Sequence, residues 1–181
     1  MSGLVHAYAD ESVRPGKYLM CVVTVEADAV GPVRRQTRSL LLPGQRRLHF
    51  QKESQRRRKQ LLGELVNFDV SVAVFYRRHQ TGHSERRVRA DCLTAIVEHL
   101  RDLDRDVVLY IERREGRDDE DHRTMDQARS REDVLTYQHL LPSTDPLLWL
   151  PDCFVWPVGA GGDWLRRVRE GPAIEVIRDV G

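Results

Sequence analysis

Residues 4–12, Leu-Val-His-Ala-Tyr-Ala-Asp-Glu-Ser, decide the fold predicted for this chain. The run is mostly apolar and predicts a first β-strand that ends in an acidic pair. Because side chains alternate along a strand, Asp10 shares a face with His6 and Tyr8, opposite the small apolar residues. Asp10 therefore points where a neighbouring strand can add a second carboxylate, and converging carboxylates indicate a divalent metal ion.

A second β-rich run follows at residues 17–25 (KYLMCVVTV). Pro15-Gly16 supplies a turn between the two runs, so residues 11–16 are predicted to join the strands into an antiparallel hairpin. Beyond the hairpin, residues 27–51 are polar and rich in arginine. They are predicted to hold a short helix or a third strand around residues 40–42.

Strands and helices alternate in the rest of the chain. Helical spacing of apolar residues predicts helices at 53–68 and from an N-cap at Ser84 to about residue 103. Strands are predicted at 69–76 and 105–112, a polar helix or mobile loop at 118–131, and two further apolar segments at 134–141 and 147–158. An opening hairpin followed by this alternation predicts an α/β fold with a mixed sheet.

Length and composition limit the possibilities further. A chain of 181 residues, 40% hydrophobic, is predicted to form one domain over residues 1–181. Its three cysteines, Cys21, Cys92 and Cys153, lie far apart in apolar stretches, which is typical of buried thiols in a reducing compartment. No apolar run approaches the roughly 20 residues of a membrane span, and a signal peptide is not evident, so we expect a cytoplasmic protein without a membrane partner.

Arginine dominates the basic residues although the net charge is only +1. Lysine occurs at three positions, whereas arginines form clusters such as Arg34-Arg35, Arg46-Arg47 and Arg56-Arg57-Arg58. The planar guanidinium suits phosphate better than a lysine ammonium does, so nucleic acid is the expected partner. A codon bias towards arginine explains the same composition equally well.

Two further acids are candidates to join Asp10. Glu112 ends the predicted strand at 105–112, and the two acids would meet at one sheet edge if this strand lies beside the first. Asp152 lies within the mostly apolar residues 147–156, where a lone charge is costly unless it faces a cleft, a metal or a partner.

Residues 8–12 (Tyr-Ala-Asp-Glu-Ser) resemble the Y-x-D-E-S-G opening of the DUF3800 family, whose fold is similar to that of ribonuclease H. Residues 48–52 (LHFQK) resemble that family's E/H-x-H-F-x-K segment, and residues 147–152 (LLWLPD) its late L-L-Q-L-A-D helix. The resemblance spans nearly the whole chain and implies a ribonuclease H-like mixed sheet. Val13 and Pro151 depart from the family's glycine and alanine.

The resemblance implies an acidic cluster that holds one or two Mg²⁺ or Mn²⁺ ions and cleaves a phosphodiester bond in nucleic acid. Asp10 and Asp152 match the family's motifs best, Glu112 would be a third ligand, and Glu53 a fourth acid. The alternative is a catalytically inactive module of the same fold that binds nucleic acid or a protein partner. A nucleotidase that uses the same cluster is a third hypothesis.

Each candidate residue also has a structural interpretation, which for Asp10 is that of a turn residue. Glu112 is followed by arginines and suits a surface ion pair, and Asp152 after a proline suits a helix N-cap. Glu53 suits the start of a helix, where an acid is favoured by the dipole. Of the other possible site residues, Glu11 suits a solvated hairpin position, whereas His49 and Lys52 belong to the family-like segment; packing explains His49 equally well.

Three remaining features favour simpler interpretations. The acidic residues 118–121 indicate a solvated, flexible segment. His139 is predicted to lie either near the acids or at a solvated strand position. His79 and His83 are spaced i, i+4, but residues 80–82 (Gln-Thr-Gly) between them indicate a loop, and no further zinc ligands can be identified.

Overall fold

The computed structural model describes residues 3–78, 84–113, 116, 118–129, 135–171 and 173–181. It opens with an antiparallel hairpin of β1 (Val5–Arg14) and β2 (Lys17–Glu26), which confirms the predicted hairpin. Gly16 in the turn has a φ of 72°, which glycine adopts without strain. The prediction that β1 ends at Asp10 is wrong, because ladder pairing with β2 continues to Arg14 and Asp10 lies inside the strand.

The other elements alternate between helices and strands. In chain order they are α1 (Val30–Ser39), a 3₁₀ helix (Phe50–Lys52), α2 (Gln55–Leu65), β3 (Ser71–Arg78), α3 (Glu85–Arg101), β4 (Val107–Glu112), α4 (Asp118–Ala128), β5 (Leu135–Leu140), a second 3₁₀ helix (Pro146–Trp149), α5 (Leu150–Ala160), α6 (Gly162–Arg169) and β6 (Ile174–Asp179).

One mixed six-stranded sheet contains all these strands, in the order β5-β4-β1-β2-β3-β6. β2 pairs antiparallel with both β1 and β3, whereas β4 pairs parallel with β1, β5 with β4 and β6 with β3. Helices flank the sheet on both faces. The predicted α/β class with a mixed sheet and an opening hairpin is therefore confirmed.

Local predictions hold where a capping residue or a strong strand is present. Ser84 is the N-cap of α3 as predicted and accepts a hydrogen bond from the Arg87 amide. Leu40 instead follows α1 as its C-terminal cap, so no strand forms at residues 40–42. The acidic residues 118–121 begin α4, where the helix dipole favours them. His79, His83 and the predicted boundaries at 131 and 134 lie outside the described residues.

The alternation predicted for β1 is confirmed by two hydrophobic clusters, one on each face of the sheet. Tyr8 belongs to the cluster formed with α1, α2 and α5, whereas Ala7 and Ala9 belong to the cluster under α3 and α4. All three cysteines are buried and free, as predicted, and burial raises the pKa of Cys92 to about 12. No helix in the described part of the chain is long and apolar enough to cross a membrane.

A buried ion network ties α3 to α4 and the hairpin on the second face. The Arg89 guanidinium donates to both oxygens of Asp121, at 2.7 and 2.6 Å, and also to Glu11 and to the Tyr18 hydroxyl. His139 lies 3.0 Å from Asp121. Asp121 is only 2% exposed, so the prediction that the whole acidic run is solvated is wrong: a buried arginine compensates its last member. His139 is likewise neither solvated nor on the face of Asp10.

Replacing the central arginine should destabilise the fold strongly. In Arg89→Leu, Asp121 and Glu11 lose their cation while remaining in the interior, so the free energy of unfolding should fall by about 3–5 kcal/mol at pH 7. Hydrogen bonds from Arg89 and His139 outweigh the effect of burial and hold the pKa of Asp121 below its usual range. The contribution of this carboxylate is therefore present above about pH 4 and is lost as the pH falls further.

Urea denaturation of Arg89→Leu measures this loss, with Arg86→Leu as the matched control. Arg86 lies one turn earlier on α3 and pairs with Glu120 at 2.9 Å, but its side chain is 59% exposed. Its loss should cost about 1 kcal/mol or less. Equal losses in the two variants would contradict the assigned importance of the buried network.

Candidate carboxylate site

Asp10 and Glu112 lie side by side where the parallel pairing of β1 and β4 ends. The last pair in that ladder is Ala9 with Ile111, and each acid is the next residue of its strand. Tyr8 and Tyr110, two residues before the acids, stack on the same face with ring centroids 5.0 Å apart. The condition for Asp10 and Glu112 to meet, that their strands lie side by side, is therefore fulfilled.

Asp152 approaches the same face from α5, which packs on β1 and β2. The N-cap of α5 is Trp149, so Asp152 belongs to the first helical turn and the N-cap interpretation is wrong. Pro151 is accommodated in this turn, where its missing amide costs no helical hydrogen bond. Pro157 does not end the helix, which continues to Ala160.

The residues before α2 hold the Asp152 carboxylate in place. Its Oδ2 accepts a hydrogen bond of 2.9 Å from the Phe50 amide, and Nδ1 of His49 lies 3.4 Å from the same oxygen. The Asp152 residue is 9% exposed. The segment predicted at residues 48–52 from the family resemblance therefore contacts the late acid directly, and His49 is one of the contacting residues.

The electrostatics show that the three acids influence one another. Burial raises the pKa of Asp10 well above its usual range, and the charges of Glu112 and Asp152 raise it further. Burial also raises the pKa of Glu112, with Asp152 adding to the effect and Arg47 opposing it. Among the described residues Asp10 has no hydrogen-bond or ion-pair partner. We call Asp10, Glu112 and Asp152 the carboxylate site.

Arg47 is the cation of this site, and sequence reasoning did not single it out. Its Nη2 lies 3.0 Å from both oxygens of Glu112. Glu112 therefore forms an ion pair with Arg47, whereas Arg113, the next residue, pairs with Asp118 at 3.1 Å. Arg114 lies outside the described residues. The Arg46-Arg47 pair was visible as part of an arginine cluster, yet it lies 65 residues from its partner along the chain.

The other predicted site residues are placed differently. Glu53 precedes Ser54, the N-cap of α2, and its carboxylate accepts a hydrogen bond from Gln45. Glu11 faces the opposite side of the sheet, where it pairs with Arg89, so its solvated interpretation is wrong. Lys52 ends the first 3₁₀ helix and is exposed. None of the three is among the residues that shift the pKa of Asp10.

The donor set suits a hard divalent cation, because it offers carboxylate oxygens and one of the carboxylates has no counter-charge. A cation between the acids would also relieve the repulsion that raises the pKa of Asp10. The positions of the side chains are not those of a closed metal site. Within the described ranges, no three Asp, Glu, His or Cys side chains are grouped so as to hold an ion.

Comparison with known proteins identifies the architecture. The fold is similar to the crystal structure of ribonuclease H2 from Pyrococcus horikoshii OT3, with a TM-score of 0.61 over 94% of this chain and 81% of that chain, at 11% sequence identity. The chain has a ribonuclease H-like fold.

The remaining comparisons support no further argument about this chain. Ribonuclease H1 from Halobacterium salinarum NRC-1 matches 78% of this chain and 89% of its own at 16% identity, but its TM-score of 0.33 is too low to support an argument. No family model and no curated protein sequence matches the chain. The likeness to ribonuclease H2 therefore concerns the ribonuclease H-like fold alone.

Replacing Asp10 should stabilise the metal-free protein. In Asp10→Asn an amide takes the place of a partly buried carboxylate that is repelled by two others, so the free energy of unfolding at pH 8 should rise by about 0.5–2 kcal/mol. Because the pKa of Asp10 is raised by folding, its destabilising effect grows with pH and disappears in acid. The gain should shrink as the pH is lowered towards about 4.

Urea denaturation in EDTA at several pH values measures this gain. Asp163→Asn is the control, because Asp163 is exposed and paired with Arg166 and Arg167, so no gain is expected. A variant Asp10→Asn that is no more stable than the wild type at pH 8, or a gain that increases in acid, would contradict the electrostatic description of the site.

Proposed function

We propose that this protein is a divalent-metal-dependent nuclease or a related phosphodiesterase. The observation that carries the proposal is the convergence of Asp10, Glu112 and Asp152 on one face of a ribonuclease H-like sheet, with the carboxylate of Asp10 unpaired among the described residues. Nucleic acid is the proposed partner. The ribonuclease H-like fold supports this assignment, although fold alone does not determine function.

The carboxylate site provides specific roles for its residues. Asp10, Glu112 and Asp152 would hold Mg²⁺ or Mn²⁺, which supplies an activated water and stabilises the leaving oxygen. His49 and the Phe50 amide orient Asp152. Arg47 neutralises part of the negative charge at Glu112 until a cation does so. Glu53 remains a candidate fourth acid whose participation requires a shift away from Gln45.

Membership of the DUF3800 family is part of the proposal. It is supported by residues 8–12, 48–52 and 147–152, because these three motif-like segments meet around one site although they are distant in the chain. The three free, buried thiols support a reducing compartment, for which we propose the cytoplasm.

A binding module without catalytic activity is the second candidate, and a specific observation favours it. Arg47 contacts both oxygens of Glu112, and no closed group of three metal ligands occurs among the described residues. In such a module an arginine takes the place of the metal ion. This candidate predicts nucleic-acid or protein binding that is insensitive to divalent metal and to the loss of Asp10.

Cleavage assays with end-labelled single-stranded and duplex DNA, RNA and hybrid oligonucleotides distinguish the two candidates. We expect cleavage with Mn²⁺ or Mg²⁺, none in EDTA, and a loss of about 100-fold or more in Asp10→Asn, since even residues that only orient metal ligands contribute 10–100-fold. The same variant should be more stable than the wild type, so its inactivity cannot be attributed to unfolding.

Asp28→Asn is the matched control for the cleavage assay. Asp28 is exposed and follows β2 at the end of the hairpin away from Asp10, so its activity should equal that of the wild type. Cleavage that persists in Asp10→Asn would exclude the carboxylate site as the catalytic centre. Metal-independent binding without cleavage of any substrate would favour the binding module.

A further inference from the structure

Two arginines without a carboxylate partner stack on one tryptophan next to the carboxylate site. Arg14 from the end of β1 and Arg58 from α2 lie over the Trp156 ring, with guanidinium carbons 4.9 and 4.3 Å from its centroid. Within the described ranges neither arginine forms an ion pair with an acid. Two neighbouring positive charges without a counter-charge are costly, which makes the pair a natural site for an anion.

The orientation of both arginines is fixed by the backbone. Arg14 donates to the carbonyl oxygen of Trp156 at 2.9 Å, and Arg58 donates to those of Phe50 and Gln51 at 3.0 and 2.9 Å. Arg14 also lies against Gly159, where a Cβ atom would stand 2.5 Å from its Nε. The two side chains are therefore held in place before any ligand binds, which reduces the entropy lost on binding.

The Arg14 side chain retains donor capacity in this fixed position. Its Nη1 forms no hydrogen bond among the described residues, whereas its Nε is buried against Gly159. Burial and the nearby charge of Arg58 both lower the pKa of Arg14, as expected for two cations in proximity. An anion with several acceptor oxygens would satisfy the free donor and compensate both charges.

The arginine pair lies close to the carboxylate site. Trp156 and Asp152 are four residues apart on α5, which places them on one side of the helix about 6 Å apart along its axis. Phe50 connects the two locations, since its amide donates to Asp152 and its carbonyl accepts from Arg58. A nucleic-acid strand carries a phosphate about every 3.4 Å of duplex axis, so neighbouring phosphates of one strand can reach both.

We propose that Arg14, Arg58 and Trp156 form a phosphate-binding site that holds a nucleic-acid strand one or two nucleotides from the carboxylate site. The inference rests on the proposed function for the identity of the ligand as a strand, but the chemistry of the site requires only a phosphate group. A free phosphate or the phosphate of a mononucleotide would offer the same chemistry, and the experiment separates these sources.

Binding of a labelled single-stranded oligonucleotide in EDTA, measured by fluorescence anisotropy across salt concentrations, tests the site without cleavage. Arg14→Gln should weaken binding and reduce the slope of log affinity against log salt by about 0.7, the value for one phosphate contact on a single strand. Arg14→Lys should retain most of the slope because it keeps the charge. Arg58→Gln should act like Arg14→Gln if it folds normally.

Arg166→Gln is the control. Arg166 is an exposed arginine of α6 that already pairs with Asp163 and Glu170, so its loss should leave the slope unchanged. The assay contains EDTA and measures binding alone, so failure of the nuclease proposal does not remove the readout. An unchanged slope in Arg14→Gln would overturn the assignment to a strand.

Thermal denaturation with inorganic phosphate identifies the source of the ligand. If the proposal is correct, millimolar phosphate weakens oligonucleotide binding slightly in the wild type. Arg14→Gln should lose both this effect of phosphate and part of its affinity for the strand. A thermal shift by phosphate that disappears in Arg14→Gln, with strand affinity unaltered, would assign the site to a free phosphate and overturn the strand path. The absence of both effects would overturn the site itself.

Discussion

Parallel pairing between β1 and β4 is the constraint on which the rest of the structure depends. It places a strand from the first part of the chain beside one formed about a hundred residues later, and it ends at Ala9 and Ile111. The following residues, Asp10 and Glu112, therefore emerge together. The pairing of β1 with β2 continues as far as Arg14, beyond the end of the pairing with β4. Asp10 is therefore still held in a rigid ladder on one side. The acid is held by the sheet and not by a loop.

Consecutive carboxylates on β1 have opposite electrostatic environments. Glu11 faces α3 and is neutralised by Arg89, whereas Asp10 faces α5 and has no partner among the described residues. Strand alternation alone separates them. The buried network on one face supplies specific interactions that hold the fold together, and the other face retains an unfavourable concentration of charge. An unfavourable arrangement of this kind is expected where binding or catalysis, and not stability, has shaped the residues.

Much of the fold could be predicted from the sequence because its signals are local. Alternation in β1, the Pro15-Gly16 turn and the Ser84 cap each act within a few residues. β6 and α6 could not be predicted, since β6 is a half-buried edge strand defined by its pairing with β3 and carries a weak apolar pattern. The same limit applies to the site. Motifs indicated Asp10 and Asp152, and strand position indicated Glu112, but the partnerships of Arg47 and Arg89 depend on contacts distant in sequence.

Residues 47–58 link the parts of the site that the sheet cannot connect. Arg47 contacts Glu112, the Phe50 amide contacts Asp152, and Arg58 stacks on Trp156. The first residues of this segment, 47–49, lie outside regular secondary structure, so Arg47 can adjust more readily than the strands that carry Asp10 and Glu112. Movement of Arg47 away from Glu112 would free that carboxylate for a cation without altering the sheet. The ladder thus fixes where the charges lie, and this segment supplies the arginine that compensates one of them.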